Sequence, residues 1–81
     1  MRVTDSVERV AASLELIGTA ADGVSVSEVA AALDVHKATA SRMLGTLARR
    51  GLVERDAVTM RYRVGPRLVS LAGGAVARLP I

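Results

Sequence analysis

The residues best suited to chemistry in this chain are cations and hydroxyls set at helical spacing. Lys37, Thr39, Ser41, Arg42, Thr46 and Arg49 fall in one run, and Arg61 and Arg63 follow in a second. A guanidinium can fork onto a phosphate or onto guanine O6 and N7, while hydroxyl and ammonium groups add single bonds to phosphate oxygens. At 100° per residue Ala38, Arg42, Gly45 and Arg49 share one side of a helix, flanked by Lys37, Ser41 and Thr46. Ala40, Met43, Leu44 and Leu47 take the other side and read as its buried face. A mid-helix glycine costs about 1 kcal/mol against alanine, so Gly45 on the polar side asks for a reason. Small residues between arginines let a helix settle deep into a groove, which is one such reason. An ordinary solvated face is the alternative for this helix taken alone.

Catalysis finds no support. One histidine, no cysteine and no paired carboxylates leave no credible base, nucleophile or metal site, and no cofactor is expected. Gly73-Gly74 lacks the Gly-x-x-x-x-Gly-Lys pattern of a phosphate loop. His36 has no metal-ligand company and reads as a turn residue. A single aromatic, Tyr62, fits poorly with RNA or single-strand binding by base stacking, and is expected in the core.

The net charge is +3, but it is unevenly spread. Residues 1–35 carry two arginines against six acidic residues, whereas residues 36–63 carry seven cations against two acidic residues. That concentration is the footprint of a polyanion-binding surface. No stretch approaches the ~20 apolar residues of a membrane span, and Asp5 and Glu8 interrupt any leader-like run. A cytoplasmic protein without membrane contact is expected.

The elements that must position these residues can be followed along the chain. Residues 1–4 read as a loose end. Asp5, with Glu8 in a capping-box arrangement, opens a helix whose apolar stripe is Val7, Val10, Ala11, Leu14 and Ile17. Leu16 lies off that stripe and suggests a second apolar surface, from wider burial or from a dimer contact. After Gly18 to Gly23, Val24-Ser25-Val26 alternates like a very short strand. Ser25 or Ser27 then caps a second helix that buries Val29, Ala30 and Leu33 and ends near Asp34. Three residues later the two-faced helix, 37–50, begins, which is helix-turn-helix geometry. Gly51 is placed as its left-handed cap. Leu52 to Asp56 and Arg61 to Gly65 read as two short strands of a wing, 52–64, with Tyr62 and Val64 on one face and Arg61 and Arg63 on the other. Pro66 starts a last helical turn, 67–71, with Leu68 and Leu71 inward. The fold class is mainly α with a small β-hairpin: a three-helix core, a two-stranded wing and a short C-terminal helix.

With these elements in order, the chain resembles the N-terminal DNA-binding domain of the IclR family of bacterial transcriptional regulators. The resemblance runs from Asp5 to about Leu71. It rests on Ser6-Val7-Glu8-Arg9, Val24-Ser25-Val26-Ser27-Glu28-Val29-Ala30 and Lys37-Ala38-Thr39-Ala40-Ser41-Arg42-Met43-Leu44. It continues through Arg49-Arg50-Gly51-Leu52-Val53-Glu54-Arg55-Asp56 to Arg61-Tyr62-Arg63-Val64-Gly65-Pro66-Arg67-Leu68, the most specific part. The resemblance implies a winged helix-turn-helix that dimerises partly through its first helix and binds palindromic operators. It also implies a separate C-terminal domain that senses a small metabolite. Residues 1–72 are expected to form the DNA-binding domain. Residues 73–81 would begin the connection to an effector domain outside this chain. Asp34, His36 and Ala38 stand where the family commonly has glycine, proline and serine, and Met60 replaces a wing-tip glycine.

The expected reading is therefore sequence-specific binding of double-stranded DNA, with the recognition helix in the major groove. The candidate contacts are Lys37, Ala38, Thr39, Ser41, Arg42, Thr46, Arg49, Arg61 and Arg63. Arg42 leads, for base or phosphate. Thr39 and Ser41 are candidates equally for local capping or packing, and Lys37 for a solvated lysine. Arg61 and Arg63 would lie over flanking phosphates or the minor groove, whereas Arg50 and Arg55 read as ordinary surface charges. The rival is a winged helix used only for protein contact or dimerisation.

Overall fold

In a computed structural model, the structure describes residues 5–79; the loose end expected at residues 1–4 and the final part of the expected connection lie outside them. Asp5 starts the fold. Its Oδ1 accepts the amides of Val7 at 2.7 Å and Glu8 at 3.3 Å, satisfying donors left open by the first turn of α1, Ser6–Thr19. The expected buried stripe on α1 is corrected. Val7 is 75% exposed and Ala11 is exposed, whereas Ser13 is fully buried beside Ile17. Ser13 escapes a hydropathy count because its hydroxyl donates to the Val10 carbonyl at 2.8 Å, with the Met43 sulfur 3.9 Å away. A small, internally bonded side chain can thus sit where α1 meets α3. Leu16 packs partly against the core, so the outward apolar residues of α1 are Val7 and Ala11 instead.

The expected strand 24–26 shrinks to one residue. Val24 forms an isolated antiparallel bridge with Tyr62, and Val26 already belongs to α2, Val26–Leu33. Ser25, not Ser27, is the cap: Glu28 N–H donates to its Oγ at 3.1 Å while Glu28 Oε1 accepts the Ser25 amide at 2.8 Å. Val29, Ala30 and Leu33 are buried as expected.

Two helix ends use one device. After α2, Asp34 takes a left-handed conformation, φ 55°, and the Val35 amide donates back to the Ala30 carbonyl at 3.0 Å. After α3, Lys37–Arg49, Gly51 does the same at φ 74°, with Leu52 N–H on the Leu47 carbonyl at 3.0 Å. Both are Schellman closures, and the first is the turn of the helix-turn-helix. Arg50 is the cap rather than the last helical residue.

Strands β1, Val53–Arg55, and β2, Tyr62–Val64, are shorter than expected and pair antiparallel, Val53 opposite Val64 and Glu54 opposite Arg63. Val53 and Tyr62 face inward, joining Ile17, Val29, Ala40, Leu44 and Leu47 in one aliphatic core. At the wing tip Asp56 Oδ1 accepts the amides of Val58 and Thr59 at 2.8 and 2.9 Å, and Met60 closes the loop at φ 64°.

Helix α4, Pro66–Val76, has Pro66 in its first turn and outlasts the expected 67–71. A glycine penalty of about 1 kcal/mol biases against helix but does not by itself stop one already nucleated. Leu68 is half-buried, but Leu71 is 62% exposed, correcting its inward assignment.

Candidate nucleic-acid interface

Helix α3 is fixed from below. Ala40, Leu44 and Leu47 are buried and Met43 is half-buried, so the rotation of the helix is set by the core. The same rotation turns Lys37, Ala38, Ser41, Arg42, Thr46 and Arg49 to the exterior, with Thr39 half-buried at the edge and Gly45 half-buried on the outer face beside Arg49. The chemistry-bearing face thus follows from the packing of its opposite side.

The cations differ in what surrounds them. The side chains of Lys37 and Arg42 make no hydrogen bond or ion pair with another described residue. Arg49 folds back along the helix, its Nη2 donating to Thr46 Oγ1 at 3.1 Å, while Thr46 donates to the Arg42 carbonyl at 3.1 Å. Thr39, Arg42 and Thr46 line a depression between α1 and α3 that they share with Ser6 and Arg9. Sequence reasoning missed the last two; their only signal was their place on the first turn of α1, off its apolar stripe.

The wing arginines share one depression with Asp22, Gly23, Asp56 and Thr59, as expected of one face, but they reach different partners. Arg63 lies on the β-hairpin between two carboxylates, Nε 3.0 Å from Glu54 Oε2 and Nη1 3.1 Å from Asp56 Oδ2. Glu54 above all, then Asp56, raises the Arg63 pKa further. The Thr59 and Val58 amides, then Arg63, pull the Asp56 carboxyl down to about 2. Arg61 instead reaches the start of the helix-turn-helix, bonding the Asp22 and Gly23 carbonyls and Glu28. The Ser25 amide chiefly, with Arg61 adding to it, holds Glu28 below the ordinary carboxylate range. Sequence could not find the Glu28 counterion, which lies 33 positions from Arg61. Uncompensated positive charge therefore concentrates on α3 rather than on the wing.

Arg50 and Arg67 border a separate shallow depression with Leu52 and Leu71. His36 precedes α3 as its cap position without a side-chain bond. Among the described residues, no His, Cys, Asp or Glu group has the arrangement of a metal site, and no helix is long and apolar enough to cross a membrane.

Known proteins share this arrangement. The sequence signature of the IclR helix-turn-helix domain matches residues 6–57. The glycerol operon regulatory protein of Streptomyces coelicolor is 37% identical over 70 residues, 86% of this chain and 28% of that protein. The HTH-type transcriptional regulator BhcR of Paracoccus denitrificans is 38% identical over 61 residues, 75% of this chain and 22% of that protein. Among solved structures, the IclR transcriptional regulator of Alicyclobacillus acidocaldarius superposes with a TM-score of 0.78 at 33% identity, covering 90% of this chain and 30% of that one. The chain thus spans less than a third of these relatives. With its two-faced helix held on a three-helix core beside a short hairpin, and with that signature running from α1 to the wing, the chain belongs to the IclR family of transcriptional regulators, as its helix-turn-helix DNA-binding domain.

Proposed function

We propose that this chain binds double-stranded DNA in a sequence-specific manner, with α3 in the major groove. The observation that carries the reading is the outer face of α3, where Lys37 and Arg42 stand exposed and uncompensated around the small residues Ala38 and Gly45. Arg42 is the principal reader, for a guanine edge or a phosphate; Lys37, Ala38, Thr39, Ser41, Thr46 and Arg49 complete the contact surface. The wing, with Arg61 just before its second strand and Arg63 within it, lies over the flanking backbone or minor groove.

A homodimer through α1 places two such helices in successive major grooves of a palindromic operator. What supports the dimer is an outward line on α1, exposed Val7, Ala11 and Gly18 with half-buried Leu14 at its edge, at the spacing of one helix face. Burying such a line against a second copy removes its apolar surface from water. The relatives named above are regulators of transcription, and by extension control of a promoter is the proposed role here. Response to a small metabolite would belong to a domain outside this chain.

The test is a titration of the chain into a labelled duplex from the promoter beside its own gene, at about 50 and 200 mM salt. Binding that prefers this duplex over a scrambled one, and weakens by about 0.9 log units per phosphate contact for each tenfold rise in salt, supports the reading. Salt-insensitive association, or none, contradicts it.

A further inference from the structure

The wing and the start of α2 meet at a single junction, and one arginine occupies it. Arg61 immediately precedes β2. Its Nε donates to the Asp22 carbonyl at 3.2 Å, and its Nη2 donates to the Gly23 carbonyl at 3.0 Å and to Glu28 Oε1 at 2.7 Å. The same Glu28 oxygen accepts the Ser25 amide and so closes the capping box of α2. One residue along, the backbones of Val24 and Tyr62 exchange both hydrogen bonds, at 2.9 and 2.7 Å. Gly23 permits this approach: φ is 78°, and a Cβ there would stand 2.7 Å from the Tyr62 carbonyl oxygen. A guanidinium fork, a helix cap and a backbone bridge are therefore consecutive parts of one joint.

Arg63 differs in kind. Both of its acceptors, Glu54 and Asp56, belong to the wing itself. Turning Arg63 toward a phosphate leaves the attachment of the wing untouched. Turning Arg61 toward one breaks three bonds to the helix-turn-helix at once.

We propose that Arg61 is a positioning residue, which with Glu28 locks the angle of the wing against the helix-turn-helix, and that Arg63 is the phosphate contact of the wing. This inference rests on the DNA-binding reading above and divides a role that the sequence assigns to both arginines. A wing held rigid before binding needs less ordering when it meets the duplex, so the clasp contributes affinity without touching DNA. The cation of Arg61 is spent internally, whereas that of Arg63 is exchanged from carboxylate to phosphate.

The test uses the whole chain and three variants: Glu28→Gln, Arg61→Ala and Arg63→Ala. Gln still completes a capping box, so Glu28→Gln removes the charge facing Arg61 while sparing the start of α2. Hydrogen exchange in the free chain is read at the Val24 and Tyr62 amides. Binding is read, across salt, on the labelled promoter duplex and on the same duplex trimmed of the flanks that the wing would reach. With the clasp, Glu28→Gln speeds exchange at both amides by about twofold to fivefold, and Arg61→Ala by roughly tenfold. Both variants weaken binding to the long duplex, leave the salt slope unchanged, and bind the trimmed duplex as wild type does. A general loss of structure would weaken binding to both duplexes alike, and that result overturns the clasp. Arg63→Ala lowers the slope by about 0.9.

The opposite signs overturn the proposal. If Glu28→Gln tightens binding and Arg61→Ala lowers the slope by about 0.9, Arg61 is itself a phosphate contact that Glu28 restrains. Unchanged exchange in both variants also overturns it. Should wild type fail to bind any duplex, the DNA-binding reading falls, and the exchange data alone then decide whether Arg61 and Glu28 hold the wing.

Discussion

The guanidinium of Arg49 lies along α3 beside Gly45, so that a Cβ added at Gly45 would stand 3.8 Å from Arg49 Nη1, an ordinary contact. Nothing in the free fold requires glycine there, since the position is regular helix and has room. The glycine costs helix stability for no internal return. Gly45→Ala is therefore expected to stabilise the fold by about 1 kcal/mol in thermal or denaturant unfolding. With α3 seated as proposed, it should simultaneously weaken binding to the promoter duplex, because the added methyl would stand between the helix and the groove floor. A variant that is stabler and binds equally well would show that the helix does not seat closely at Gly45.

Met60 tests the wing tip. It occupies the left-handed region at φ 64°, where a side chain costs roughly 1 kcal/mol or more, and it is 51% exposed. Met60→Gly should raise stability by about 0.5 kcal/mol, part of the relief being offset by the freedom glycine gains when unfolded. Equilibrium unfolding of the two chains measures it, and a loss of stability would mean the methionine side chain holds the loop.

Asp56 sets an acid limit on the same loop. Its ordinary value of 3.8 is lowered to about 2 by the Thr59 and Val58 amides and by Arg63. Because the folded-state value is depressed, the stabilisation is fully present above pH ~4 and is lost as pH falls from there toward ~2. Amide shifts of Val58 and Thr59 followed by NMR should titrate in that lower window, together with the Arg63 side chain. Titration near pH 4 would contradict the bonding seen at the tip.

The α1 surface predicts self-association. Val7 is 75% exposed at the head of the line it shares with exposed Ala11. Val7→Glu should shift sedimentation of the chain toward monomer and weaken binding to a two-half-site duplex far more than to a single half-site. Equal association in both chains would move the dimer contact elsewhere.

The helix-turn-helix was legible in sequence because its determinants are local. Apolar spacing identifies Val29, Ala30, Leu33, Ala40, Leu44 and Leu47 as core, and Gly51 and the Ser25/Ser27 pair mark helix ends by capping chemistry that acts within a few residues. Ser13 was not legible, since burial of a hydroxyl depends on which helix crosses it and on a bond back to Val10. The extent of α4 was misread because two adjacent glycines shift a probability rather than end a helix. The partners of Arg61 lay beyond reach for a different reason. Long cationic side chains choose among carboxylates brought near by the fold, and alternation along a strand fixes only where each begins. Exposure of the α3 face, by contrast, was implied by the apolar residues opposite it.

Reading of DNA by α3 is proposed to depend above all on Arg42. The most direct test compares wild type and Arg42→Ala for binding to the labelled promoter duplex and to a scrambled duplex of equal length. A loss of more than ~1 kcal/mol is expected on the promoter duplex and a smaller loss on the scrambled one, so that discrimination between them shrinks. Equal, feeble affinity of both proteins for either duplex would contradict it.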